Sequence, residues 1–207
     1  MNSIPAMTSQ KVHDYLTEIG SGWQRKGVAM ELGCWLGASS IALLRGLVKA
    51  GYDLDFWAFD KWDTPAPQVV KAKAQGMKIS AGQDLKPLYC DNVGKIYSKI
   101  KAIKGGMPAT LSGFNGSAIE ICIFDAPKQE PVFTGCVRAL KNFWIEGVTV
   151  LGLLDYNFYE RHNGRKREQF RAPVDFMEKY GSHFEVLKSW DDECPVFFRY
   201  VKKITMD

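Results

Sequence analysis

Four acidic residues stand where apolar runs stop. Val28-Ala29-Met30 runs into Glu31, the segment 54–59 ends in Asp60, the run from Ile119 to Phe124 ends in Asp125, and the run 147–154 ends in Asp155. An ionised carboxylate is costly to bury without a partner. Four of them at the ends of apolar segments therefore predict a shared polar rim that meets a polar ligand or an ion. Beyond Glu31 the spacing is Glu-x-Gly-x-x-x-Gly, with Gly33 and Gly37 leaving bare backbone where a ligand can approach. It is not the dinucleotide fingerprint Gly-x-Gly-x-x-Gly, because Trp35 and Leu36 fill the middle. A turn that carries such side chains suits a ligand without a pyrophosphate. Asp60, past the second apolar run, is a carboxylate suited to accept hydrogen bonds from both hydroxyls of a ribose.

Periodicity says which elements carry these residues. Short apolar runs at 27–32, 54–60, 118–127 and 147–156 predict strands, and 108–114 predicts a weak further one. Between them the spacing predicts helices over 8–20, 38–50, 130–145 and 166–180, the last interrupted by Pro173. Ser39 or Ser40 is the expected cap of the second helix. Residues 64–83, with Pro65, Pro67, Gly76 and Gly82, predict an irregular or partly helical excursion, and 84–104 a helix in its second half. Two final strands, 183–190 and 195–203, flank a short polar turn at 191–194. Strand–helix alternation predicts a parallel sheet covered on both faces, closed at one edge by an antiparallel hairpin. The expected architecture is α/β: a Rossmann-like, seven-stranded, mostly parallel sheet in a single domain over 1–207. An N-terminal helical segment (1–26) precedes it, and residues 62–106 form an insertion that caps the pocket. In such sheets ligands sit at the carboxyl ends of the strands, where the four acids lie.

Composition narrows the field. Hydrophobic residues at 46% and charged residues at 24% suit a folded globular chain rather than a disordered one. No apolar run approaches the roughly 20 residues that span a bilayer, and the first residues lack the basic and apolar regions of a secretory signal. A cytoplasmic protein is expected, with its five cysteines, spaced for neither a metal finger nor a redox pair, as reduced thiols. Eight lysines between Lys71 and Lys104 face only Asp84 and Asp91. A second basic cluster gathers Arg161, Arg165, Lys166, Arg167 and Arg171. Such charge suits solvated faces or an anionic small-molecule partner. Nucleic acid is not expected, because no motif accompanies the charge. A homo-oligomer is compatible with the chain. No Gly-x-Ser-x-Gly, His-Glu-x-x-His or phosphate-binding loop occurs, which leaves hydrolase, zinc protease and nucleoside triphosphatase readings without an anchor.

The segments MELGCWLGASS and FWAFDKWD, with the terminal hairpin, resemble the class I S-adenosylmethionine-dependent methyltransferases over residues 27–203. The resemblance implies that Glu31, Gly33, Gly37 and Ser39 line the cofactor and that Asp60 holds its ribose. It places Lys61 and Trp62 beside it, Trp62 against the adenine, and brings Asp125 to the same cofactor. FDAPK and LLDYN are similar to the metal-dependent small-molecule O-methyltransferases acting on catechols or sugars. That likeness makes Asp125 and Asp155 candidate ligands of Mg2+, which would lower the pKa of an acceptor hydroxyl. It makes Lys128 the base, with His162 in the loop after the fifth strand as the alternative. The usual further ligand is Tyr156 here, with Asn157 one residue on. The implied activity is O-methylation of a sugar or secondary metabolite. A nicotinamide-dependent oxidoreductase and a catalytically silent cofactor-binding module are the alternatives.

Overall fold

The computed structural model describes residues 4–206. Seven strands form one sheet: β1 (Val28–Leu32), β2 (Phe56–Asp60), β3 (Ile100–Lys104), β4 (Ile119–Phe124), β5 (Val150–Leu153), β6 (Phe184–Lys188) and β7 (Val196–Tyr200). Their order is β3-β2-β1-β4-β5-β7-β6. The first five named run parallel, and β7 pairs antiparallel with both β5 and β6. Chain order reverses between β1 and β4, which makes that junction the switch point of the sheet.

Alternation along the strands divides the apolar side chains into two layers. Ala29, Phe56, Ala58, Ile121, Ile123 and Phe197 pack on one face with α1 (Gln10–Ser21), α2 (Ala38–Lys49) and α4 (Lys86–Gly94). Met30, Leu32, Trp57, Phe59, Cys122 and Phe124 pack on the other with α5 (Val132–Leu140) and α8 (Arg171–Tyr180). The first layer depends on two glycines at the α1–α2 crossing. A Cβ on Gly20 would lie 2.3 Å from the carbonyl oxygen of Leu43, and one on Gly46 would lie 2.0 Å from that of Thr17. The Thr17 hydroxyl donates to the carbonyl of Ala42 at 2.9 Å, which locks the two helices at this approach.

The third strand lies elsewhere than expected. Residues 108–114 hold a short 3-10 turn, Ala109–Gly113, and β3 comes from the second half of 84–104, where a helix was expected; the helix α4 occupies the first half. The cause is the alternation Ile100-Lys101-Ala102, which sets Ile100 and Ala102 against the core and Lys101 outward. Lysines on an outermost strand also discourage pairing with another chain. The segment 62–106 thus contains α3 (Ala66–Ala74) and α4 and ends in a strand integral to the sheet. Pro173 does not break a helix. The interruption falls at residues 169–170, between α7 (Gly164–Glu168) and α8, and Pro173 sits in the first turn of α8, where its missing N–H has no helical partner to lose. A further short helix, α6 (Phe158–Arg161), follows β5. Among the described residues no helix is long and apolar enough to cross a membrane.

Candidate functional site

The turn after β1 is built around the switch point. Gly33 donates to the carbonyl of Phe59 on β2 at 2.8 Å, while the Leu32 carbonyl accepts from the amides of Asp125 and Ala126 beyond β4, at 2.8 and 2.9 Å. Gly33 has φ +97°, and a Cβ there would lie 2.5 Å from the nitrogen and from the Cβ of Ala126. Gly37, at φ +93°, would bring a Cβ to 2.6 Å from Val93 of α4. Both glycines make room for the chain's own elements, on the side where bare backbone had been expected to face a ligand.

Glu31 occupies a position on β1 where alternation calls for an apolar residue facing α2. It is buried, and both carboxylate oxygens accept hydroxyl hydrogen bonds, one from Ser39 and one from Ser40. The Tyr89 hydroxyl donates to the Ser40 oxygen at 3.2 Å. Burial pushes the Glu31 carboxyl up to about 7, against the lowering effect of the two serines. The serines therefore do not cap α2; the cap position is Gly37, and the hydroxyls are committed to Glu31. Glu31 and Ser39, expected to line a cofactor, are bound to each other and join β1 to the start of α2.

Asp60 ends β2 half-buried, and its carboxylate organises the loops beside it. One oxygen accepts from the amides of Cys34 and Trp35 at 2.6 and 2.9 Å, and the other from the amide of Trp62 at 2.6 Å. Trp35 and Trp62 adopt left-handed backbone conformations, φ +43° and +45°. Such conformations cost on the order of 1–3 kcal/mol each and persist where the surroundings over-determine them. The Asp60 carboxylate is that constraint. Trp62 is not a surface for adenine: it is 1% exposed, its ring lies 4.9 Å from Tyr89, and its indole N–H donates to the carbonyl of Trp35 at 3.0 Å. The indole nitrogen of Trp35, by contrast, is buried without an acceptor. Lys61 is exposed beside Asp60.

Asp125, Lys128 and Asp155 come together at the ends of β4 and β5. Asp125 is half-buried and accepts no hydrogen bond from the described residues; burial, and then the charge of Asp155, raise its carboxyl above the usual range. The Lys128 ammonium forms an ion pair with Asp155 and lies 5.4 Å from the centre of the Phe170 ring. His162 packs against the same Phe170 ring and against Phe158, with Nδ1 buried and unpartnered; no hydrogen bond links it to either carboxylate.

Expectation of a divalent cation between Asp125 and Asp155 does not fit this donor set. Lys128 already neutralises Asp155, and no group of three or more His, Cys, Asp or Glu among the described residues is arranged to hold a metal. Tyr156 packs on Phe198, and the Asn157 amide donates to the carbonyl of Glu193 at 3.3 Å, so neither supplies the missing ligand. The rim is thus Asp60, Gly33, Asp125, Lys128 and Asp155 in sheet order. Ser40, expected only as a helix cap, completes the Glu31 cluster with Tyr89; Tyr89, and Phe170, which backs Lys128, were not singled out from the sequence. The pair Ser39-Ser40 one turn after Glu31 was the available signal for the cluster; Phe170, 42 positions beyond Lys128, gave none.

No family model and no curated protein sequence matches the chain. Solved structures do. The O-methyltransferase NovP aligns with a TM-score of 0.66 at 14% identity, over 93% of this chain and 79% of that one. The O-methyltransferase from Bacillus cereus in complex with SAH aligns with a TM-score of 0.59 at 14% identity, over 94% and 82%. Precorrin-6y C5,15-methyltransferase from Geobacter metallireducens aligns with a TM-score of 0.54 at 13% identity, over 96% and 92%. The chain has the Rossmann-like methyltransferase fold, and the resemblance read from its sequence holds at the level of that fold.

Proposed function

We propose that this protein is an S-adenosylmethionine-dependent methyltransferase that acts on a hydroxyl of a small molecule, a sugar or secondary metabolite, and that the acceptor carries negative charge. The observation that carries the reading is Asp125: an unpartnered, half-buried carboxylate at the switch point, between Asp60 on one side and the Lys128–Asp155 pair on the other. The donor set suits an adenosyl amino acid. Asp60, with Lys61 beside it, would take the ribose hydroxyls, and Asp125 offers an acceptor to the amino acid end. Residues 62–106 contribute the cover through α3 and α4.

When bound, the cofactor supplies an electrophilic methyl group on a sulfonium. The residues of the chain handle the acceptor. The Lys128 ammonium, held by Asp155 and 34% exposed, donates to the acceptor oxygen. The Asp125 carboxylate receives the hydroxyl proton, a role for which burial has raised its basicity. His162 and Phe158, in the segment after β5, pack on the Phe170 ring that backs Lys128. Exposed Arg165 and Lys166 on α7 supply positive charge there, and Arg167 stacks 4.1 Å from the Tyr159 ring.

Calorimetric titration with S-adenosylhomocysteine tests the reading. Wild-type protein is expected to bind it, and Asp60→Ala to bind at least about tenfold more weakly, since a charged hydrogen-bonding group is worth roughly 1.5–3 kcal/mol. A wild type that releases no heat and shows no thermal shift with the ligand would overturn the proposal.

A further inference from the structure

We infer that the rim works without a divalent cation, because the Lys128 ammonium already occupies Asp155, one of the two carboxylates that such a cation would need. Four observations converge. Lys128 is ion-paired with Asp155, whose side chain is only 15% exposed, so the carboxylate is largely withdrawn from water. The Lys128 charge also acts on Asp125, lowering a carboxyl that burial and Asp155 raise. The lysine cannot easily swing away, because its ammonium is backed by the Phe170 ring, itself stacked on Phe158 at 5.1 Å. The side chains that would complete a metal shell are turned to other work: Tyr156 lies against Phe198 and Asn157 is tied to the β6–β7 loop.

A dication on Asp155 would have to displace the ammonium that now pairs with it. Like charges at contact repel strongly where water is partly excluded, and a hard cation needs several oxygen donors where this site leaves one free carboxylate. Lysine supplies one positive charge and N–H donors, enough to hold an acceptor oxygen but without the second charge that would drive its ionisation. The proton must then leave to a neighbouring base, which the adjacent Asp125 provides. The role given to the acceptor rests on the methyltransferase reading; the cation site is tested without cofactor or acceptor.

Mn2+ serves as the probe, followed by the paramagnetic resonance signal of the free ion and by calorimetry. Wild-type full-length protein is expected to leave the signal undiminished. Lys128→Met, which keeps the length of the stem and removes the charge, is expected to bind Mn2+ at least about tenfold more tightly than wild type, because it bares two carboxylates. Lys128→Met combined with Asp155→Asn is expected to lose that gain, and Lys128→Arg to behave as wild type. Stoichiometric Mn2+ uptake by the wild type that Asp155→Asn abolishes would overturn the inference, as would a folded Lys128→Met protein with no gain. Should Lys128→Met fail to fold, the wild type and Asp155→Asn pair decides alone: equal, negligible uptake supports the inference and Asp155-dependent uptake refutes it. Titration with S-adenosylhomocysteine in chelator runs alongside, so failure of the cofactor reading shows separately as loss of that binding.

Discussion

Gly33→Ala is expected to lower stability by about 2–6 kcal/mol and to remove S-adenosylhomocysteine binding from whatever remains folded. Two costs combine. The residue sits at φ +97°, where an L side chain is strained by on the order of 1–3 kcal/mol. The added methyl would also meet the nitrogen and Cβ of Ala126 at 2.5 Å, and overpacking of this kind costs roughly 1–3 kcal/mol more. Relief requires moving the start of the loop after β4, whose amides at Asp125 and Ala126 are bound to the Leu32 carbonyl next to the substitution. The same displacement carries Asp125 away from the rim. For a chain of this size the melting temperature should fall by about 10 °C. Gly76→Ala and Gly82→Ala provide the comparison: their φ values are +78° and +75°, yet nothing lies within 4 Å of the added atom. They incur the backbone strain without the collision. If Gly33→Ala melts alongside these two, contact with Ala126 is not what the glycine serves, and the account of the turn is wrong.

That turn also shows how far sequence reaches. Asp60, Asp125 and Asp155 were legible as one rim because each follows or ends an apolar run, and a parallel sheet aligns such ends, whereas Glu31, expected beside them, is buried within β1. The closing hairpin was legible from alternation. What Glu31 and the glycines do was not, because it depends on contacts across long stretches of chain. Gly33 and Gly37 were read as space left for a ligand, but the space is taken by Ala126 and Val93, 93 and 56 positions away. Trp62 had the right neighbour for an adenine platform; a hydrogen bond to Trp35 and the packing of Tyr89 turned it inward. β3 was missed for a local reason. Lysine-rich segments with apolar residues two and three apart fit a strand edge and a helix face alike, and only the pairing with β2 selects the strand. The pairing of Lys128 with Asp155 is a further case. Its members were each singled out as functional, but a lysine three residues past an aspartate reads as a base when nothing reports the charge it will meet.

Glu31→Gln is expected to stabilise the protein at alkaline pH and not at acid pH, with a swing of about 3 kcal/mol. The folded-state carboxyl is raised from 4.5 to about 7, chiefly by burial. A raised acid binds its proton more tightly in the folded chain than in the unfolded one. Its contribution to stability is therefore complete below about pH 4.5 and is lost as pH rises through 7. A difference of about 2.5 pK units corresponds to about 3 kcal/mol. Glutamine keeps the shape and never ionises, so it escapes that loss. At low pH it gains nothing, and the amide must donate to one serine oxygen where the carboxyl accepted, with the Ser40 and Tyr89 hydroxyls reorienting to suit. Asp125, also raised by burial, adds its own pH dependence to both proteins, and the comparison between them largely removes it. Urea unfolding of the two proteins between about pH 5 and about pH 8 reads the effect directly: the variant's advantage should grow with pH up to about 7 and level off above it. Curves that stay parallel across that range would mean that Glu31 ionises in the folded protein as it does in the unfolded chain. Ser39 and Ser40 would then compensate its burial fully, and the cluster at the start of α2 would hold a charge rather than a proton.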